Sequence, residues 1–85
     1  MTEATKSMEI VAKIQAFLRK RFQNYEFADD EDIFRTGVVN SLFAMQLVMF
    51  VENEFGIEVS DEDLTLDNFR TVDAMTQLIR GKIDA

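Results

Sequence analysis

Chemistry is most available at Ser41, in the run Gly37-Val38-Val39-Asn40-Ser41-Leu42, a turn signal that leads straight into an uncharged stretch over residues 43–51. A serine acting as a nucleophile needs a base, and the chain contains no His and no Cys. Their absence removes a Ser-His-Asp arrangement, a cysteine nucleophile, thiolate and ordinary zinc sites, and a disulfide framework together. Carboxylates nearby would not take the serine proton without strong perturbation. Ser41 therefore reads as a place where something is attached. The competing reading is that it only helps to start a helix, as most serines in such settings do.

One acidic spacing invites a metal and does not fit one. Asp61, Asp63, Thr65 and Asp67 place oxygen at alternate positions, as a calcium loop does. Leu66 stands where such a loop needs its sharp-turn Gly, and Val72 where it needs a bidentate Glu. Asp29-Asp30-Glu31-Asp32 has the pattern of a solvated loop available to a basic partner.

The 85 residues carry 16 acidic and 9 basic side chains, a formal net charge of −7. This balance argues against nucleic acid and against an anionic membrane, because affinity for both rests on Lys and Arg neutralising phosphate. It favours partners with basic surfaces. The start Met1-Thr2-Glu3-Ala4-Thr5 lacks the basic-then-apolar order of a signal peptide, and the longest apolar run, residues 47–51, is far too short to span a membrane. A cytoplasmic, monomeric, single domain over residues 1–85 is expected, with 1–6 as a disordered tail.

Helical periodicity organises the chain, and no Pro interrupts it. Ile10, Ile14, Phe17, Leu18 and Phe22 recur at three- and four-residue steps and predict an amphipathic helix over residues 7–24. Residues 25–40 form a long acidic connection, which Phe27, Ile33 and Phe34 should pin to the core. The second helix is expected over 41–55, capped by the Asn40 side chain and ended by Gly56 in the left-handed conformation. Ser60 begins an N-cap signal with acids in the first turn, which predicts a short or irregular helix over 61–69. Thr71 can cap a last helix over 72–80, with Val72, Met75, Leu78 and Ile79 inward and Gly81 closing it. With no sustained period-two alternation, the fold expected is an all-α small four-helix bundle, three helices long and one short.

A turn of about 100° per residue sorts the second helix into faces. Leu47, Val51, Ala44, Phe55 and Val48 should face the core. Ser41, Met45, Met49, Glu52, Gln46 and Asn53 fall opposite, with Phe43 and Phe50 between. Two Met side chains beside the serine, where a solvated face would carry charge, suggest a surface that accepts a partner. Ordinary packing against a loop is the alternative. In the first turn Ser41 would lie at the positive end of the helix dipole, a setting that favours a phosphate ester.

Gly37-Val38-Val39-Asn40-Ser41-Leu42, then Met45-Gln46-Leu47-Val48-Met49 and Glu52-Asn53-Glu54-Phe55-Gly56-Ile57-Glu58-Val59, resembles the acyl carrier protein signature, in which Asp-Ser-Leu opens the second helix. The likeness extends to the acidic loop and to Thr71-Val72, and so covers nearly all of the chain from Ile10 onward. It implies a carrier without catalytic activity. Ser41 would hold 4′-phosphopantetheine, transferred from coenzyme A by a phosphopantetheinyl transferase, and the arm's thiol would hold an acyl group as a thioester. The missing Cys is then explained, since the thiol comes with the prosthetic group.

Two departures from the family pattern matter. Asn40 replaces the usual Asp, which keeps the cap and removes a charge that a transferase could read. Phe43 and Gln46 occupy positions that are commonly acidic, so partner docking, expected through Asn40, Leu42, Phe43, Met45, Gln46, Met49 and Glu52, should rest more on apolar contact. The wording Asn-Ser-Leu-Phe-Ala-Met-Gln-Leu is similar to that of discrete carriers of glyceryl, hydroxymalonyl or methoxymalonyl extender units in polyketide and related antibiotic biosynthesis. That likeness implies an acyl-loading enzyme, tailoring dehydrogenases and an acyltransferase or ketosynthase as partners. An aminoacyl or peptidyl carrier shares the fold and the serine. An unmodified helical interaction module, binding through Met45, Met49 and Phe43, is the competing function from another class.

Overall fold

Four apolar stripes converge on one core. Ile10, Ile14 and Leu18 in the first helix, Phe43, Leu47 and Val51 in the second, Phe69 in the third and Val72, Met75 and Ile79 in the last are all buried, joined by Phe27 and Ile33 from the long connection. Each such side chain removed from water contributes about 1.5–3 kcal/mol. In this computed structural model the elements are α1 (Glu3–Arg21), α2 (Ser41–Phe55), a 3-10 turn (Asp61–Asp63), α3 (Leu66–Phe69) and α4 (Val72–Ile83). The structure describes residues 3–23, 26–35, 37 and 40–84, and among them there is no strand. The fold is an all-α bundle of three main helices and a short one.

The long connection is ordered where it is described. Gln15 on α1 donates to the Phe27 carbonyl and to the Asp29 carboxylate, both at 2.8 Å. Backbone bonds from Ile33 to Arg70 and from Asp73 to Asp29, each 2.9 Å, clip the same segment to the junction of α3 and α4. Burial of Phe27 and Ile33, with Phe34 packed against the core, completes the attachment expected from the sequence.

The caps of α2 and α4 lie where their residue types put them. The Asn40 side chain accepts from the Phe43 N–H, Gly56 takes φ 63° at the other end, and the Thr71 hydroxyl accepts from the Ala74 N–H. Ser60 and Asp63 form a reciprocal capping box over the 3-10 turn. The expected short helix over 61–69 is two pieces, because Leu64 and Thr65 leave helical geometry between the turn and α3.

Three expectations are corrected. The first helix begins at Glu3, one turn ahead of Ser7, so residues 3–6 are helical where a disordered tail was expected. Lys6 reaches Asp84 at 3.2 Å, and Arg80 donates to the Ser7 hydroxyl, so this extra turn is held by the end of α4. At its other end α1 stops at Arg21, and Asn24, where it was expected to end, lies outside the described residues. Gly81 does not close α4, which continues to Ile83, where the Asp84 N–H donates to the Arg80 carbonyl. With φ negative at Gly81, nothing there calls for a left-handed residue.

Candidate functional site

Ser41 is the first residue of α2 and is exposed. Its position follows from Asn40, whose extended backbone (φ −110°, ψ −179°) turns the chain into the helix while its side-chain oxygen accepts from Phe43 at 3.0 Å. Behind it Gly37 takes φ 77°, a conformation that an L side chain would strain. The first turn of α2 contains no acidic residue. The backbone N–H groups that open the helix therefore face no carboxylate of their own turn.

Beside this end stands Arg21, the last residue of α1. It lines a shallow cleft of about 240 Å³ with Asn40, Leu42 and Gln46, and its guanidinium lies 5.8 Å from the centre of the Phe43 ring. An exposed hydroxyl, unpaired helix N–H groups and a nearby guanidinium form a donor set that suits a phosphodiester on Ser41. No described residue near the serine is positioned to take its proton: the structure contains no His, and α2 has no acid before Glu52.

The outer face of α2 is apolar and accessible. Leu42 is 71% exposed, Met45 59% and Met49 58%. Met45 also borders a cleft of about 230 Å³ between α2 and α3, with Val48, Phe34, Leu64, Leu66 and Phe69 around it. Leu64 and Leu66 extend the exposed apolar surface beyond α2. Neither leucine is expected at a contact surface from helical periodicity, and their placement between Asp63, Thr65 and Asp67 is the signal in the sequence of an apolar edge on a polar turn.

Two residues expected on this face sit elsewhere. Phe43 is 7% exposed, its ring 5.7 Å from that of Phe17 and 4.8 Å from that of Phe22. Helical spacing puts it between the faces, but a large ring at such a boundary gains more by reaching the α1 aromatics than by staying in water. Glu52 is half-buried, and its carboxylate accepts from the Val59 N–H at 2.9 Å, tying down the chain that leaves α2. Asn40, Leu42, Met45 and Met49 remain exposed and Gln46 half-buried on the serine side.

A family model described as "Phosphopantetheine attachment site" matches residues 8–79. The chain belongs to the phosphopantetheine-binding carrier proteins. Curated relatives include the D-alanyl carrier protein of Streptococcus pyogenes serotype M5 (strain Manfredo), 31% identical over 68 residues, covering 80% of this chain and 82% of the relative. The D-alanyl carrier protein of Streptococcus uberis is 30% identical over 67 residues, covering 79% and 85%. No solved structure matches. As a carrier protein the chain is not an enzyme, its prosthetic group is 4′-phosphopantetheine, and carriers of this family receive that group from a phosphopantetheinyl transferase. Among the described residues no helix is long and apolar enough to cross a membrane.

Proposed function

We propose that Ser41 is the residue that bears 4′-phosphopantetheine, and that the chain presents acyl groups held on the arm to partner enzymes. The observation that carries this reading is the exposed Ser41 hydroxyl at the mouth of α2, in a first turn without carboxylates and beside Arg21. The arm supplies the thiol that the chain lacks and holds cargo as a thioester. The chain's own residues do the positioning: Asn40 fixes the start of the helix, the open first turn accommodates the phosphodiester, and the serine proton leaves to a base on the transferase. Tethering then gives each docked partner a high effective concentration of cargo.

For the cargo, the Asn40-Ser41-Leu42-Phe43-Ala44-Met45-Gln46-Leu47 wording supports a glyceryl, hydroxymalonyl or methoxymalonyl unit on its way to polyketide assembly. The partners are then an acyl-loading enzyme, tailoring dehydrogenases and an acyltransferase or ketosynthase. The D-alanyl carrier relatives support a second reading, an aminoacyl cargo. The two share a short three-carbon acyl chain bearing a polar α-substituent, and they differ in whether that substituent is oxygen or nitrogen.

The test is intact mass after incubation with coenzyme A and a broad-specificity phosphopantetheinyl transferase. The wild-type chain gains one phosphopantetheine, and Ser41→Ala gains none. No gain with several transferases, or a gain by Ser41→Ala, overturns the assignment and leaves an unmodified interaction module. The mass of the loaded species from the native host then separates the oxygen cargo from the amino cargo.

A further inference from the structure

We propose that the groove between the C-terminal half of α1 and the outer face of α2 docks a partner protein through an apolar side chain flanked by carboxylates. The groove encloses about 540 Å³. Phe17 and Phe50 form its floor, stacked with centroids 4.1 Å apart, and Met49 stands exposed at its edge. Lys20 and Arg21 rim it.

Charge on this rim has the opposite sign to that of the molecule. Five of the nine basic side chains, Lys6, Lys13, Arg70, Arg80 and Lys82, are in ion pairs with carboxylates. Among the described residues the other four, Arg19, Lys20, Arg21 and Arg35, have no such pair: Lys20 and Arg21 line the groove, Arg19 turns to a separate cleft shared with Glu26, and Arg35 lies in the long connection. The one acid that lines the groove, Glu54, is already met by Lys13 at 3.5 Å. From Ser41 to Val51 the α2 face carries no charge at all. Screening in about 0.1 M salt acts over roughly 10 Å, so a side chain entering the groove meets first the charges that line it, Lys20 and Arg21. Net charge alone points to a basic partner, whereas this groove selects an acidic one.

This docking role rests on the carrier reading for its purpose, since the groove runs alongside the helix that Ser41 opens, but its test does not require Ser41 to be loaded. Two helical peptides serve as probes, each presenting the same Leu and Phe on one face, flanked by Glu in one and by Lys in the other. Titrated into the isotope-labelled full chain, the Glu peptide should shift the amides of residues 17–21 and 46–54, bind several-fold more tightly than the Lys peptide, and lose that advantage as salt rises. Lys20→Glu, which leaves the Arg21–Phe43 contact in place, should cancel or reverse the preference while the helical circular dichroism signal shows the chain still folded, with at most a small loss of stability from an acid in the last turn of α1. Equal or tighter binding of the Lys peptide, shifts centred on the acidic loops, or no shift with either peptide would overturn the proposal. A chain that takes up phosphopantetheine yet fails this test retains the carrier function and loses only the groove.

Discussion

The side of the molecule that carries Ser41 and the side built from the 3-10 turn, α3 and α4 treat their charged groups in opposite ways, although Leu64 and Leu66 leave apolar surface exposed on the second side as well. On the far side most charged groups of the helix ends are tied to another. Lys82 meets Asp63, Asp63 closes a capping box with Ser60, Arg70 meets Asp32 and Asp67, and Asp84 collects Lys6 and Arg80. On the serine side Leu42, Met45 and Met49 stand in water, and Lys20 has no ion pair among the described residues. The far side uses its side chains to hold the fold, and the serine side leaves them for something outside. Such a division suits a carrier, whose core has to survive docking by several enzymes on one face.

The largest difference should appear within α2 itself. Leu47 is fully buried, and Leu47→Ala should destabilise the chain by about 2–5 kcal/mol in denaturant unfolding. Two residues on and about 200° round the helix, Met49→Ala should change stability by no more than about 0.5 kcal/mol. A loss of about 1 kcal/mol or more from Met49→Ala would make Met49 part of the core and end the comparison. Use by partner enzymes should follow the reverse order, falling for Met49→Asp with the circular dichroism signal intact.

How much of this division the sequence reveals depends on how local the physics is. Both ends of α2 are legible because Asn40 and Gly56 act on their own neighbours: one accepts from a backbone N–H three residues on, and the other needs only its own φ. The start of α1 is not legible, because what holds it is Asp84 against Lys6, residues 78 positions apart. Phe43 illustrates the intermediate case. Helical arithmetic puts it at the border of the faces, and only the placement of Phe17 and Phe22 decides that it goes inward. The placement of Ser41 at the exposed start of α2 is legible from the turn and cap beside it, while the positive rim formed by Lys20 and Arg21 exists only once α1 and α2 are packed together.

A smaller effect separates polar groups on the two sides. The Thr71 hydroxyl accepts from the Ala74 N–H at 2.9 Å, so Thr71→Ala leaves a helix donor unmet and should cost about 1 kcal/mol. Lys20→Ala removes an exposed side chain with no ion pair among the described residues, only its favourable charge in the last turn of α1, and should cost less than Thr71→Ala. If the two substitutions cost the same, the serine side is as tightly bound as the far side.

The smallest expected effect is in acid, and it belongs to the far side alone. The Lys82 ammonium, then the Ser60 hydroxyl and N–H, hold the Asp63 carboxyl below its ordinary value, and Lys6 followed by Arg80 do the same for Asp84. A group whose proton affinity falls on folding contributes stability that is fully present above its unfolded value, near pH 3.9, and disappears as pH falls through that value toward the folded one. Asp84 is exposed and Asp63 half-buried at the surface, so the contribution is modest and weakens with salt. Thermal unfolding followed from about pH 7 down to about pH 3 should show Asp63→Asn and Asp84→Asn less stable than the wild type at neutral pH, with the gap narrowing as acid is added. Lys20→Ala should track the wild type throughout. A constant gap across that range would mean that these carboxylates act by shape and hydrogen bonding, with their charge contributing nothing to the contrast between the two sides.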